Sequence, residues 1–202
     1  MDLESLLNKK RSQLKSCQTI VTDTSGRKFC YENGEKRELE KGLSFIVDTK
    51  PDLEIVEIIS GLYLSSQDPV MSEELLLKYS IKNILSIGIQ VPVKFNSIRY
   101  YFIEILDLPE FDIFQCLKQC LEIIDNCCCH GDENILVHCN AGISRSPTIV
   151  IAYLMAREKL TFHDAFQRVK LQRERIKPNE GFIRQLTMNS QDIQGFFEYN
   201  FE

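Results

Sequence analysis

The segment that most constrains this chain is a strand that turns sharply into a helix. An apolar run, Asn134-Ile135-Leu136-Val137, leads into His138-Cys139-Asn140-Ala141-Gly142-Ile143-Ser144-Arg145-Ser146, and a helical pattern follows from Ser146 to Glu158. Such a turn leaves several backbone N–H groups without partners, and the positive end of the helix dipole lies beside them. The sequence therefore predicts an anion-binding turn at the end of a strand.

Two side chains in this turn indicate its chemistry. The field that holds an anion also stabilises a thiolate, so Cys139 is predicted to be a nucleophile near neutral pH. Arg145, at the exit of the turn, can present its planar fork to two oxygens of a tetrahedral oxyanion. The reaction implied is attack on phosphorus by a sulfur anion.

The order of these residues resembles the phosphate loop of cysteine-dependent protein phosphatases. His138 precedes Cys139, Arg145 follows after five residues, and a hydroxyl residue comes next. The later run Ala152-Tyr153-Leu154-Met155 is similar to the small dual-specificity phosphatases. The resemblance covers about residues 52 to 190. It implies a single-domain α/β fold with a central, mostly parallel, twisted sheet and helices on both sides. The implied activity is hydrolysis of phosphotyrosine, phosphoserine and phosphothreonine esters through a phosphocysteine intermediate.

The resemblance also implies roles for the residues of the loop. Cys139 would attack phosphorus, Arg145 would bind the phosphate, and Ser146 would donate a hydrogen bond that helps the thiolate leave. The Ser146 hydroxyl could also serve the start of the following helix, and both roles can hold. Backbone N–H groups would surround the phosphate oxygens, and the substrate-binding residues are Asn140, Ala141, Gly142, Ile143, Ser144 and Arg145.

Two other residues are predicted to support the loop. His138 would orient it by hydrogen bonding to the backbone, and the alternative is a core histidine with satisfied hydrogen bonds. Asn179 lies in Pro178-Asn179-Glu180-Gly181-Phe182, which breaks the chain and starts a last helix to about Asn189. This segment also resembles the family, and Asn179 is expected to brace the phosphate loop.

The general acid is expected in the loop Leu106-Asp107-Leu108-Pro109-Glu110. The leaving oxygen of the ester must be protonated as it departs, and a carboxylic acid above the pocket can supply that proton. By resemblance the acid is Asp107, with Glu110 as the rival and Asp112 as a weaker one. The alternative is that Asp107 is an ordinary loop residue or the cap of the next helix.

The substrate class is predicted from the uncharged loop. Asn140, Ala141, Ile143 and Ser144 include no lysine, whereas family members that act on inositol phosphates tend to place lysines there. A phosphoprotein substrate is favoured, and neither a metal nor a cofactor is needed. The alternatives are a non-catalytic phosphoprotein-binding module or kinase scaffold, and a phosphatase of phosphoinositides or RNA 5′ ends.

The first 50 residues are expected to form an extension outside the catalytic domain. We predict a short helix ending before Cys17, a hairpin of Thr19–Thr22 with Lys28–Tyr31, and a linker over 32–42. The extension would dock a partner, pack as a cap on the catalytic domain, or form a loose terminus. Together with the Asp-Leu-Pro-Glu and Asn-Ala-Gly segments, it resembles the phosphatase that regulates the stress-activated protein kinase pathway. Kinases of stress-activated or mitogen-activated pathways are therefore candidate partners.

The catalytic domain is predicted over 51–190 and a loosely held tail over 191–202, with packing of the apolar Phe196, Phe197, Tyr199 and Phe201 as the alternative. Strands are expected at 53–59, 62–64, 82–87, 100–105 and 134–137. Helices are expected at 72–79, 111–129 and 146–158, from Thr161, and from within 178–182 to about 189. Lys170, Arg173, Arg175 and Lys177 form a basic run that would either attract acidic partners or be a solvated helix end.

Composition excludes some classes of function. The net charge of −5 gives no case for nucleic acid as a partner, and no apolar stretch approaches the roughly 20 residues that cross a bilayer.

The first residues lack the pattern of a secretory signal. The eight cysteines are therefore expected to be free thiols in a cytoplasmic or nuclear protein, with a metal site at Cys127-Cys128-Cys129-His130 as the alternative.

Overall fold

The computed structural model describes residues 19–22, 28–32, 35–39, 51–128 and 133–197. The chain forms two compact units, Met1–Lys50 and Pro51–Glu202. The helix predicted before Cys17, the turn of the predicted hairpin, and both Cys129 and His130 lie outside the described residues.

The first unit contains a three-stranded antiparallel sheet. Strand β1 (Thr19–Thr22) pairs with β2 (Lys28–Glu32), as the hairpin prediction requires. Strand β3 (Glu35–Glu38) pairs with the other edge of β2, so the prediction of a linker over 32–42 was wrong here. All four residues of β3 are charged and exposed. Their side chains face water, and backbone pairing connects the strand to β2. The sequence of β3 therefore lacks the alternation of apolar and polar residues by which a half-buried strand is recognised.

The second unit is built on a five-stranded sheet. Its strands are β4 (Ile55–Ile59), β5 (Leu62–Ser65), β6 (Ile81–Ile87), β7 (Arg99–Ile103) and β8 (Asn134–His138). The strand order is β4-β5-β8-β6-β7, with β4 antiparallel to β5 and the other neighbours parallel. The prediction of a mostly parallel sheet is confirmed.

The central position of β8 explains its sequence. Ile135, Leu136 and Val137 are fully buried, since β5 and β6 flank the strand and apolar residues cover both faces of the sheet. A parallel strand that is buried on both faces requires a continuous apolar run rather than an alternating one. The carboxyl end of β8 therefore opens from the middle of the sheet, where α/β proteins place their ligands.

Helices cover both faces of the sheet. They are α1 (Glu73–Lys78), α2 (Phe114–Cys128), α3 (Arg145–Glu158), α4 (Phe162–Gln172), α5 (Glu180–Met188) and α6 (Ser190–Gln194), with a 3₁₀ turn at Asp68–Met71 before α1. Side chains cap three of them: Ser72 accepts from Leu75 N, Thr161 from Asp164 N, and Asn179 from Phe182 N. Helix α3 is buried from Ser146 to Ala156 and contacts α2, α4, α5 and α6.

The start of the predicted tail packs on the core. Helix α6 buries Ile193, which is 2% exposed, and Phe196 and Phe197 pack against the same apolar cluster. The ring of Phe197 meets that of Tyr153 edge-on, with 6.1 Å between centroids. The prediction of a loose tail was therefore wrong up to Phe197, and the alternative of packing holds there, because the burial of these apolar side chains stabilises the segment. Residues 198–202 lie outside the described part of the chain.

No helix within the described residues combines the length and the apolar character needed to cross a membrane.

Candidate active site

The turn between β8 and α3 places the Cys139 sulfur at its centre. Cys139 directly follows β8 and is 3% exposed. Its Sγ accepts hydrogen bonds from the Gly142 backbone N–H at 3.3 Å and from the Ser146 hydroxyl at 3.2 Å. Two donors therefore point at one buried sulfur, an arrangement suited to negative charge on that atom.

The carbonyl groups of the turn all have hydrogen-bond donors outside it. The acceptors and donors are Cys139 O with His138 Nδ1, Asn140 O with Gln67 N, Ala141 O and Gly142 O with the Arg173 guanidinium, Ile143 O with Lys177 N, and Ser144 O with Thr148 N and Oγ1. The peptide bonds of the described residues are trans, so each N–H points opposite to the carbonyl of its own peptide unit. The N–H groups from Asn140 to Arg145 therefore converge on the other side of the turn, next to the cysteine.

Gly142 is required by the shape of this turn. Its φ of +64° lies in the left-handed region, and a Cβ there would be 2.5 Å from Ser65 O. A side chain would therefore be strained by the backbone conformation and would also collide with the end of β5. We refer to residues 139–145 below as the phosphate loop.

Arg145 has one donor that no described residue satisfies. Its Nη1 donates to Gly88 O at 3.0 Å, and its Nε is 3.8 Å from Asp107 Oδ2. Nε is buried and has no hydrogen-bond partner among the described residues. An unsatisfied buried donor costs about 1–3 kcal/mol, and a guanidinium edge is the group that binds a tetrahedral oxyanion through two parallel hydrogen bonds. The geometry is therefore that of an anion-binding arginine.

Gly88 was not recognised as a site residue from the sequence. It directly follows β6 at a φ of +66°, and a Cβ there would overlap both Ile105 O and Arg145 Nη1. A glycine is needed because the arginine packs directly on this backbone. A glycine after a strand signals only a turn, so the sequence contained no sign of this contact.

Asp107 lies at the rim of the phosphate loop. Its Oδ1 accepts hydrogen bonds from the Ser144 hydroxyl at 2.7 Å and from Asn179 Nδ2 at 2.8 Å. The Asn179 backbone N–H donates to the same Ser144 hydroxyl at 3.1 Å. Asn179 thus connects the loop that carries Asp107 to the phosphate loop. Of the two rival acids, Asp112 accepts from Phe114 N at the start of α2, and Glu110 is exposed.

Helix α5 anchors the loop that carries Asp107. The Gln185 side chain donates to Phe111 O at 2.8 Å and accepts from Ile113 N at 3.0 Å. Gly181, in the first turn of the helix, lies directly against the Pro109 backbone. Together with Asn179, these residues hold the loop at both ends. The role of Gln185 could not be deduced from the sequence, since it depends on a contact between distant segments.

His138 is a fully buried neutral group beneath the loop. A carbonyl only accepts, so Nδ1 donates to Cys139 O at 3.1 Å, and Nε2 accepts from the Ser86 hydroxyl at 2.8 Å. Burial lowers the pKa of His138 to about 4, although the hydrogen bond to Cys139 O acts in the opposite direction. The ring therefore stays uncharged at neutral pH and fixes the first peptide of the loop.

Arg173 belongs to the basic run at the end of α4, but it is not a solvated residue. Its side chain is 0% exposed, and it donates to two carbonyls of the phosphate loop. Both alternatives weighed for this residue were therefore wrong, because acids far away in the sequence neutralise it inside the protein. Arg175, by contrast, is 49% exposed.

No cluster of three or more His, Cys, Asp or Glu side chains that could hold a metal ion occurs among the described residues. The six cysteines in this part of the chain are free. Because Cys129 and His130 lie outside it, the alternative of a metal site there stays untested.

This geometry defines a class of protein. A buried cysteine at the carboxyl end of a central strand, a ring of amides and an arginine with a free donor form the phosphate site of cysteine-dependent phosphatases. A model of the dual specificity phosphatase catalytic domain matches residues 62–192. The chain belongs to the dual specificity phosphatase family.

Similar proteins support this assignment over most of the chain. A probable dual specificity protein phosphatase of Dictyostelium discoideum is 35% identical, in a match that covers 93% of this chain and 96% of that protein. Dual specificity protein phosphatase 19 of Mus musculus is 37% identical over 185 residues, covering 87% and 84%. The crystal structure of DUSP15 has a TM-score of 0.66 and 34% identity, covering 73% of this chain and 97% of that one.

This chain is therefore a dual-specificity protein phosphatase whose substrates are phosphoproteins. Neither a scaffold without activity nor a phosphatase of lipid or RNA is favoured.

The burial of His138 predicts how stability depends on pH. The folded pKa of about 4 lies below the ordinary value of 6.5, so the unfolded chain binds a proton first as the pH falls. The free energy of unfolding should therefore fall by about 3 kcal/mol as the pH drops from above 6.5 towards 4. Urea denaturation at several pH values should show a weaker loss in His138→Gln than in the wild type. His163→Gln, at an exposed site, serves as control; equal losses in the wild type and His138→Gln would contradict the assignment.

Proposed function

We propose that Cys139 and Asp107 catalyse hydrolysis in two steps. In the first step the Cys139 thiolate attacks phosphorus, an S–P bond forms, and the bond to the ester oxygen breaks. The departing oxygen takes a proton from the Asp107 carboxyl group. In the second step water attacks phosphorus and gives a proton to Asp107, the S–P bond breaks, and inorganic phosphate and the thiolate are released.

The observation that carries this proposal is the set of donors around the Cys139 sulfur. The outward carbonyls direct the loop amides inwards, and the buried Nε of Arg145 has no hydrogen-bond partner among the described residues. A phosphoryl group bound here would receive hydrogen bonds on its three non-bridging oxygens while sulfur approaches phosphorus. Charge that develops on these oxygens in the transition state would meet donors that are already oriented.

Ser146 is proposed to act on the sulfur as it leaves. Its hydroxyl lies 3.2 Å from Cys139 Sγ and is fully buried. When the phosphocysteine is hydrolysed, negative charge returns to sulfur, and a hydrogen bond from this hydroxyl stabilises it. The alternative role at the helix start finds no support, because the N-cap residue of α3 is Ser144.

Protein kinases are the proposed phosphoprotein substrates. A relative from Dictyostelium discoideum, 35% identical over 145 residues, is named a MAP kinase phosphatase with leucine-rich repeats, although the match covers 16% of that protein. The resemblance to the regulator of the stress-activated pathway points in the same direction. We also propose a cytoplasmic or nuclear location, which the free cysteines support.

Replacing the nucleophile should separate binding from turnover. In Cys139→Ser a hydroxyl takes the place of the sulfur, so hydrolysis of 4-nitrophenyl phosphate should fall by on the order of 10⁴-fold or more. Tungstate should still bind, since the amides and Arg145 are unchanged, and calorimetry would measure its affinity. Cys116→Ser, at a free and half-buried cysteine of α2, is the matched control. Undiminished turnover by Cys139→Ser would remove the assignment of the nucleophile.

Replacing the acid should affect esters according to their leaving group. Asp107→Asn keeps an oxygen that accepts from Ser144 and Asn179 but cannot supply the proton. Hydrolysis of a phosphoserine peptide should slow by on the order of 100-fold, and that of 4-nitrophenyl phosphate by much less, because nitrophenolate leaves without a proton. Steady-state rates on both substrates test this. If Glu110→Gln shows the pattern instead, Glu110 is the acid.

The substrate proposal is tested on a stress-activated kinase phosphorylated on threonine and tyrosine. We expect its dephosphorylation to exceed that of a phosphoinositide or an RNA 5′ triphosphate by on the order of tenfold or more in kcat/KM. Phosphate release would be measured on all three, with Cys139→Ser as the blank. If the enzyme prefers the lipid or the RNA, the proposal that protein kinases are its substrates is wrong.

A further inference from the structure

Arg173 has a charged side chain that is fully buried next to the phosphate loop. It follows α4, and it is the largest of the fully buried side chains among the described residues. Burying a guanidinium is costly unless it is paired and hydrogen-bonded. Because it is 0% exposed, Arg173 cannot reach a substrate, so its function must be exerted through the groups that it contacts.

One side of the Arg173 guanidinium holds the phosphate loop. Nε donates to Gly142 O at 3.0 Å, and Nη2 donates to Ala141 O at 3.2 Å. These carbonyls belong to two consecutive peptide units at the middle of the loop. A planar fork fixes both at once, which the single point of a lysine ammonium does not do.

The other side of the guanidinium meets two carboxylates from the start of the catalytic unit. Nη2 lies 2.5 Å from Asp52 Oδ2, and Nη1 lies 3.0 Å from Glu54 Oε2. Asp52 is itself fixed, since its backbone N–H donates to Asp68 Oδ2 and its carbonyl accepts from the Ser66 hydroxyl. The charge of Arg173 is thus neutralised, and its fork is held in one orientation.

We propose that Arg173 is a positioning residue for the nucleophile, acting through the Ala141–Gly142 peptide. The carbonyl of this peptide accepts from Arg173, and its N–H donates to Cys139 Sγ at 3.3 Å. A charged donor on the carbonyl polarises the peptide and strengthens the hydrogen bond at its other end. It also prevents rotation of this peptide, which would turn a carbonyl oxygen towards the sulfur. Asp52 and Glu54 position the arginine that does this.

This inference rests on the proposed role of Cys139, and its test uses a matched pair of arginines. Arg175 pairs with the same acids, at 3.1 Å from Asp52 Oδ2 and 3.7 Å from Glu54 Oε2, and is half-exposed. Arg173→Met and Arg175→Met both remove a cation from the cluster, but only the first releases the two carbonyls. Both are made in the full chain, with Arg173→Lys as the conservative variant.

The measurements are kcat and KM for 4-nitrophenyl phosphate and the inhibition constant of tungstate. A loss of folded protein would lower the apparent kcat and leave KM and the inhibition constant unchanged. A displaced loop should lower kcat/KM by on the order of 100-fold and raise the inhibition constant about tenfold in Arg173→Met. Arg173→Lys should recover little, and Arg175→Met should keep the wild-type constants.

The inference is overturned if the inhibition constant of Arg173→Met equals that of Arg175→Met. It is equally overturned if Arg173→Lys behaves like the wild type, because charge alone would then suffice. Should Arg173→Met not fold, Asp52→Asn takes its place, with a smaller rise of the inhibition constant supporting the inference and an unchanged one overturning it. Failure of the proposed function would show separately, as turnover by Cys139→Ser.

Discussion

The active site depends on the orientation of the peptide units between Cys139 and Arg145. An N–H group is free to bind an anion only if the carbonyl of its peptide unit is satisfied elsewhere, because a trans peptide points the two groups in opposite directions. In this protein a histidine side chain, an arginine side chain, a threonine and two backbone amides satisfy those carbonyls. Donors that do not meet the substrate therefore orient the amides that form the anion site.

A second set of contacts joins the phosphate loop to the loop of the proposed acid. Ser144 belongs to the first and donates to Asp107 in the second, while Asn179 holds both and also caps α5. A two-step reaction needs the acid and the nucleophile in a constant relation, since Asp107 would first give a proton and later take one. Because α5 anchors the acid loop through Gln185, that relation is set by packed secondary structure rather than by the loops alone.

The features that sequence reasoning predicted are those with local causes. The run into β8, the cap of α1 at Ser72 and the order of strands and helices follow from apolar periodicity and capping residues within short windows. Arg173 was missed because its burial is decided by Asp52 and Glu54, more than 100 residues away in the sequence. Strand β3 was missed for a different reason: all four of its residues are charged and exposed, so no alternation of apolar and polar side chains identifies it.

The hydrogen bonds of the two arginines at the phosphate loop indicate which of them meets the ligand. The donors of Arg173 lie against two carbonyls and two carboxylates, which is the state expected of a structural residue. Arg145 is also mostly buried, yet its Nε has no hydrogen-bond partner within the described residues and only a distant charge contact, 3.8 Å, with Asp107 Oδ2. A folded protein does not keep such a donor buried without cost, about 1–3 kcal/mol, unless binding recovers it. The unsatisfied arginine therefore marks the substrate side of the loop, and the satisfied one marks the side that maintains its shape.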